Sequence, residues 1–410
     1  MARWSAGCWL THLVVLAVAL TSPEVAATEK LVFWSSGYSQ ELQDYVRDVV
    51  VPLFAEKIGR EVEFEIRDIG WDPARSEALL TAFAAGIGPD IIVGGSPQFS
   101  IPLDGYIEHW TDKDAIHPAL WQASRDRQTG QTYIIPQFAS FQGVYYYIRL
   151  FEEGGIPPEP PQSWDEIVEV AKKLTRLEAD RVVQSGFETV WHAPQVGSEF
   201  DWFLMQTGTQ ITTEDERFSQ INSPGGFSTL EFLKTLYDIG HPAGYQGLGE
   251  GDLWQHRVAM GRASVAMAAV RREWEGLPRL GVFAPRRSPD ERPIVPVFNN
   301  GISITRLSQN VPLAWEFLTF MLTPEIQAGM HRYAGLIVRR DALELAPEAE
   351  AFMPWYNITQ YATPLGFLPG RDQVARYIVD VLNDRLSIGA ALELMHAAHQ
   401  VELDRYSQNQ

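Results

Sequence analysis

Between residues 31 and 93 the apolar residues switch repeatedly between strand and helix periods, and no other feature of the chain constrains its fold as much. Leu31 to Trp34 is a short apolar run, after which Leu42, Tyr45, Val46, Val49 and Leu53 recur at helical spacing. Val62, Phe64 and Ile66 alternate with Glu61, Glu63 and Glu65, the two-residue period of a strand with one buried face. Ser76 to Ala85 is helical again and stops at Gly86, and Asp90 to Val93 reads as a third strand. The order βαβαβ predicts a parallel sheet wrapped by helices, because parallel neighbours need a long crossover and a helix supplies it. Ligands of such sheets collect beyond the carboxyl ends of the strands. Here those ends are followed by Ser35-Ser36-Gly37, by Asp68 to Trp71, and by Gly94-Gly95-Ser96.

Further along, Tyr133-Ile134-Ile135-Pro136 reads as a strand, followed by a loop and a second extended stretch from Val144 to Ile148. Ser163 and Glu166 form a capping box ahead of Ile167, Val170, Ala171 and Leu174, which places a helix start there. Helical spacing returns at Leu230 to Tyr237, Trp254 to Met260 and Trp315 to Leu322, and in a tail from Tyr377 to Leu394. Repeats of fixed period are absent, which removes solenoids and propellers.

The first 27 residues have the layout of a secretory signal: Arg3, an apolar core from Leu13 to Leu20, and a small-residue exit at Val25-Ala26-Ala27, so the mature chain is expected to begin near Thr28. The apolar core is shorter than the roughly 18 residues a membrane span needs. Cys8, the only cysteine, lies inside this segment and ahead of its apolar core, the wrong side for a lipid-attachment cysteine. The mature chain is therefore expected free in a periplasm, without a disulfide, a cysteine-ligated metal or a thiol nucleophile. A net charge of −19 repels nucleic acid and anionic lipid and says nothing about a small ligand. At 410 residues the chain exceeds what one core usually serves, and two domains are expected.

Several stretches in order resemble extracellular solute-binding proteins of the maltose-binding type, the receptors of carbohydrate importers. Gly88-Pro89-Asp90-Ile91-Ile92 is similar to that family's turn into its third strand, and Tyr133 to Pro136 to the segment before its first interlobe crossing. Tyr145 to Phe151, Gly155-Ile156 and Ser163-Trp164-Asp165-Glu166 resemble the run into the second lobe. Gly261 to Met267 resembles the small-residue strand before a ligand-stacking tryptophan, Ala314 to Leu318 with Thr323-Pro324-Glu325 the late helix, and Gly335 to Arg340 the crossing after it. The resemblance implies a type II periplasmic-binding-protein fold of the α/β class, each lobe a mainly parallel sheet wrapped by helices. The first lobe would hold about 28–138 and 299–340, the second 139–298 and 341–410. It further implies hinge closure around a carbohydrate, polyol or sugar-like solute, docking on the permease subunits of an ABC importer, and a monomer.

Sugar rings present apolar C–H faces edged by hydroxyls, so candidate ligand contacts are flat aromatics and polar groups near the crevice. The resemblance places a stacking ring at Trp274 and, where the family usually has small or amide residues, Arg271 and Arg272. Two guanidiniums there would suit an anionic or sulfonated solute, unless they lie on a solvated turn. Trp34, Ser36, Gly95 and Ser96 follow strand ends, with Trp34 also readable as a core residue. Gln137 and Phe138 lie at the first crossing, and Asn299, Asn300 and Gly301 at the second, where the amides either bond hydroxyls or form a turn. Trp191, His192 and Trp202 flank a loop expected to face the crevice or pack inside, with Phe367 and Arg371 as weaker candidates. Hydrolase, zinc-protease, P-loop and dinucleotide motifs are missing, so no catalytic residue and no cofactor is expected. An exported sugar-processing enzyme with a carboxylate pair is the alternative class. His396 and His399 share a helical face without a third ligand nearby and read as surface residues of a helix, with no metal.

Overall fold

A computed structural model describes residues 29–70, 74–126, 129–188, 195–213, 215, 217–243, 257–264, 280–291, 293–334, 336–346, 361–362 and 371–408. The signal-like segment, residues 265–267 of the stretch resembling the small-residue strand, and Trp274 lie outside these described residues.

The opening alternation folds as read. Strand β1 (Glu29–Ser35) buries Leu31, Phe33 and Ser35 and turns Lys30, Val32 and Trp34 to the other face. Ser39 caps the helix that follows by accepting a hydrogen bond from Leu42 N–H at 3.3 Å, which satisfies one of the donors a helix start leaves open. That helix runs through a π turn at Val46–Val50 to Ile58, where Gly59 ends it at φ 69°, a conformation that favours glycine. Strand β2 (Val62–Asp68), the helix Ala74–Ala85 and strand β3 (Ile91–Val93) complete the unit. Asp90 prepares β3: its carboxylate accepts from Val32 N–H at 2.9 Å and from Ser308 Oγ at 2.7 Å.

The main sheet runs β10 (Leu336–Ile337), β4 (Ile135–Tyr147), β9 (Pro296–Ile304), β3, β1, β2, while β5 (Arg176–Glu178) and β6 (Arg181–Gln184) pair apart from it. Its parallel part is β2-β1-β3; β9 runs antiparallel to both β3 and β4, and β10 antiparallel to β4. Strand β4 departs from the sequence reading. Instead of two strands around a loop, it is one strand of 13 residues. Ile135 to Phe141 pairs with β9, and from Gln142 onward the partners become β7 (Met260–Ser264) and β8 (Leu280–Phe283). Met260 is thus the start of a strand and not the end of a helix. The expected tail is two helices, Arg371–Leu382 and Ile388–Gln408, broken where Asp384 takes φ 57°.

Most of the buried apolar residues among the described ones fall into two clusters. One collects residues 31–141 and 295–346, among them Phe33, Phe54, Ile302 and Phe317. The other collects residues 144–283 and 374–395, among them Tyr147, Phe151, Trp202 and Ile378. Trp164 anchors the second by stacking on Phe232, centroids 4.3 Å apart at 14°. Its helix, Trp164–Leu174, has Ser163 Oγ as N-cap on Glu166 N–H, while Glu166 Oε2 reaches back to Gln162 N–H at 2.7 Å, one residue beyond the usual box. Two cores bridged by one continuous strand make a two-lobed α/β fold. No described helix is long and apolar enough to cross a membrane.

Candidate functional site

Three loops leave the carboxyl ends of β1, β2 and β3; hydrogen bonds tie the first two to each other and the third to β9. Asp68, the last residue of β2, accepts from Ser35 Oγ at 3.0 Å and Tyr38 N–H at 3.1 Å through Oδ2, and from Gly70 N–H at 2.8 Å through Oδ1. Ser36 is buried and donates its hydroxyl to the Gly70 carbonyl, so it braces the two loops from inside. Past β3, Gly94 N–H donates to the Gly301 carbonyl at 2.7 Å, and Ser303 Oγ donates to the Gly94 carbonyl at 2.7 Å. Gly95 has to be glycine for space: a Cβ would stand 2.7 Å from Ile134 Cγ2 and 2.8 Å from Ser303 Cβ. Ser96 is half-buried, and its carbonyl accepts from Phe99 and Ser100 N–H.

The aromatic and amide candidates separate by environment. Trp34 belongs to neither core; it is half-buried on the face opposite Phe33, with the Arg67 guanidinium 5.5 Å from its ring centroid. Phe138 is a core residue, 4% exposed, with its ring edge-on to Tyr38 at 6.1 Å. Tyr38 Oη in turn donates to Gln137 Oε1, and burial pushes the phenol pKa far above its ordinary value. Asn299 is also interior: Nδ2 donates to Ser124 Oγ at 2.7 Å and to the Leu120 carbonyl at 3.3 Å, tying β9 to the helix Pro118–Ser124. Asn299, Asn300 and Gly301 are not a turn but the middle of β9, paired with Ala139, Phe138 and Pro136 of β4, while the Gly301 carbonyl also accepts from Gly94 N–H just past β3. Gly301 is buried there, and the space requires glycine, since a Cβ would approach the Ile135 carbonyl at 2.8 Å. Asn300 is half-buried opposite Phe138 in the register.

Trp202 is a correction of the same kind. At 1% exposure it stacks on Phe203 at 5.2 Å and donates Nε1–H to the Ile294 carbonyl at 3.0 Å, so it packs the second core instead of lining a crevice. His399, read as a surface residue, is fully buried, and His396 is half-buried. The described residues hold no group of three or more potential metal ligands. Trp191, His192, Arg271, Arg272, Trp274 and Phe367 lie outside the described residues, and Arg371 opens the helix Arg371–Leu382 with its side chain also outside them.

Sequence reasoning missed Arg75, whose Nη2 donates to the Val93 carbonyl at 2.9 Å at the end of β3. The signal was available: helices that follow strands in a parallel sheet begin at the same end as the ligand crevice, so their first turns reach the rim as the loops do.

Comparison with known proteins agrees with this architecture. The family model described as bacterial extracellular solute-binding protein matches residues 36–328. A protein of Brucella abortus named as a binding protein, without a stated ligand, is 25% identical over 350 residues, spanning 82% of this chain and 81% of that one. The cyclic alpha-maltosyl-1,6-maltose binding protein of Arthrobacter globiformis superposes with a TM-score of 0.77 at 18% identity, covering 92% of this chain and 100% of that one. UgpB of Mycobacterium tuberculosis in complex with glycerophosphocholine superposes with a TM-score of 0.74 at 19% identity, covering 93% of this chain and 100% of that one.

Proposed function

Because this chain belongs to the bacterial extracellular solute-binding proteins, we propose that it captures a carbohydrate or sugar-like solute between its two lobes and delivers it, chemically unchanged, to the permease of an ATP-driven importer. The observation that carries the reading is the change of partner along β4 between Phe141 and Gln142, which leaves two separate cores joined by one continuous strand. Hinge closure of two such bodies encloses a ligand and creates a new outer surface for a partner to read. The first lobe comprises residues 28–141 and 295–346 in this proposal, slightly wider than the sequence suggests, because Phe141, Val295, Leu343 and Ala346 pack in its core.

The solute contacts proposed from the first lobe are Trp34, Gly95, Ser96 and Asn300. From the second lobe they are Trp191, His192, Arg271, Arg272, Trp274 and Arg371. Two similar proteins mark the range of solutes: the Arthrobacter protein is named for a cyclic maltose-based sugar, and the Mycobacterium complex holds glycerophosphocholine. Export to the periplasm and action as a monomer complete the proposal. The test is calorimetric titration of the mature chain with a sugar panel, followed by chromatography of the recovered ligand. One-to-one binding with intact ligand is expected, and catalytic turnover would sink the receptor reading.

A further inference from the structure

The register of β4 against β9 skips at one place: Pro136 faces Gly301 and Phe138 faces Asn300, so Gln137 is an extra residue with no partner on β9. A bulge of this kind bends its strand and re-aims the side chain it carries. Here the side chain turns inward. Gln137 is 1% exposed, its Oε1 accepts from Tyr38 Oη, and its Nε2 lies 3.6 Å from Met321 Sδ. Burial raises the pKa of the Tyr38 phenol, so the hydroxyl keeps its proton and serves as the donor.

Tyr38 is fixed at its other end as well. Its N–H donates to Asp68 Oδ2, which also accepts from Ser35 Oγ, while Asp68 Oδ1 holds Gly70 N–H. Ser36 Oγ closes this frame on the Gly70 carbonyl. Between the two anchors the Tyr38 ring lies edge-on to Phe33 at 5.6 Å and to Phe138 at 6.1 Å. The contact of Tyr38 with Gln137 therefore ties the loops past β1 and β2 to β4, the strand that takes up its second-lobe partners at Gln142. Both side chains are buried, too deep to touch a solute themselves.

We infer that Gln137 is a positioning residue which, through Tyr38, makes the loops past β1 and β2 move with β4, and that this link sets how firmly the lobes hold a solute; the inference rests on the receptor reading above. A bulged residue without a ladder partner leaves its strand free to flex. The hydrogen bond to Tyr38 removes that freedom before a solute arrives. Once it is broken, closure has to order loops and strand together, and a solute that must order its receptor binds more weakly than one that meets it already ordered.

The experiment compares Tyr38→Phe, Gln137→Met and the double variant of the mature chain, with glucose, arabinose, maltose and glycerophosphocholine as probes. Each single variant strands one buried polar group and is expected to melt below the wild type, whereas the double variant replaces both partners by apolar groups of similar shape and is expected to melt close to it. Stability and binding should then part company. The double variant is expected to bind every probe that the wild type binds about tenfold more weakly, by the same factor for each, with the loss seen as faster release in stopped-flow dilution. Its amides at residues 36–38 and 68–70 are expected to exchange hydrogen faster without solute. A double variant that melts and binds like the wild type overturns the inference and leaves the receptor reading standing. A loss that differs from probe to probe overturns it too, because that is the mark of a direct contact. Should the double variant not fold, Tyr38→Phe decides alone: a uniform loss supports the link and wild-type affinity overturns it. Silence of the wild type toward all four probes and the wider sugar panel overturns the receptor reading and this inference with it.

Discussion

The imidazole of His399 is completely buried on the helix Ile388–Gln408, its Nδ1 2.9 Å from Ser219 Oγ and its Nε2 without a hydrogen-bond partner. Burial first, and then the charge of neighbouring His396, push its pKa down to about 4. In the unfolded chain the ring takes up a proton below about pH 6.5, whereas the folded ring resists until about pH 4, so in that window the unfolded state binds more protons and stability is lost as the pH is lowered. The gap is worth up to about 3 kcal/mol. Urea unfolding midpoints measured from pH 7 to pH 4.5 should fall more steeply for the wild type than for His399→Gln, which removes the titrating ring and keeps a hydrogen-bonding group; parallel slopes would assign the effect elsewhere. Gly95 gives a second expectation at this scale. Gly95→Ala forces a methyl against Ile134 and Ser303, and overpacking of this kind costs about 1–3 kcal/mol, read in the same urea assay. The sequence placed Ser36 just past β1 and Gly95 and Ser96 just past β3, and the two strands do end at Ser35 and Val93. Of the two readings of Asn299-Asn300-Gly301, the turn fails: its composition is turn chemistry, yet a strand distant in sequence holds it extended.

Among elements, β4 shows why part of the fold was illegible. Residues 137–143 read Gln-Phe-Ala-Ser-Phe-Gln-Gly, polar and small enough to suggest a loop. Their backbone groups are nevertheless paired by β9 and then by β7, which follow more than a hundred residues later. Strand periodicity records one buried face, and a strand that passes from one core to another has no single face to record. The helix Trp164–Leu174 is the opposite case, since cap and apolar stripe are both local. Ser163→Ala should cost about 1 kcal/mol through the lost cap. Trp164→Ala should cost about 3–5 kcal/mol, because it empties the stack on Phe232 and the edge contact with Phe203. Both are readable by thermal melts, and a Trp164→Ala protein as stable as the wild type would contradict the assignment of that ring to the second core.

At the scale of the whole molecule, the described residues pack into two separate cores. Strand β4 passes between them at Phe141 and Gln142, while β11 (Tyr361–Ala362) lies parallel to β9 at Pro296 and Val297. Backbone pairing inside each core resists bending, so rotation of one lobe against the other has to be absorbed near these residues, where the partners change. The chain is well suited to a direct measurement, since Cys8 is its only cysteine and lies ahead of the expected mature start at Thr28. Glu56→Cys on the first lobe and Lys173→Cys on the second place dyes at exposed helical positions on the two bodies. A bound solute should raise energy transfer between them and reduce the radius of gyration in scattering, with both changes saturating at the same solute concentration. Dyes paired within the first lobe, at Glu56 and Lys113, should not respond, because that core moves as one body. Transfer that stays constant while calorimetry reports saturation would mean that the solute binds without closure, and the hinge at residues 141 and 142 would have to be abandoned.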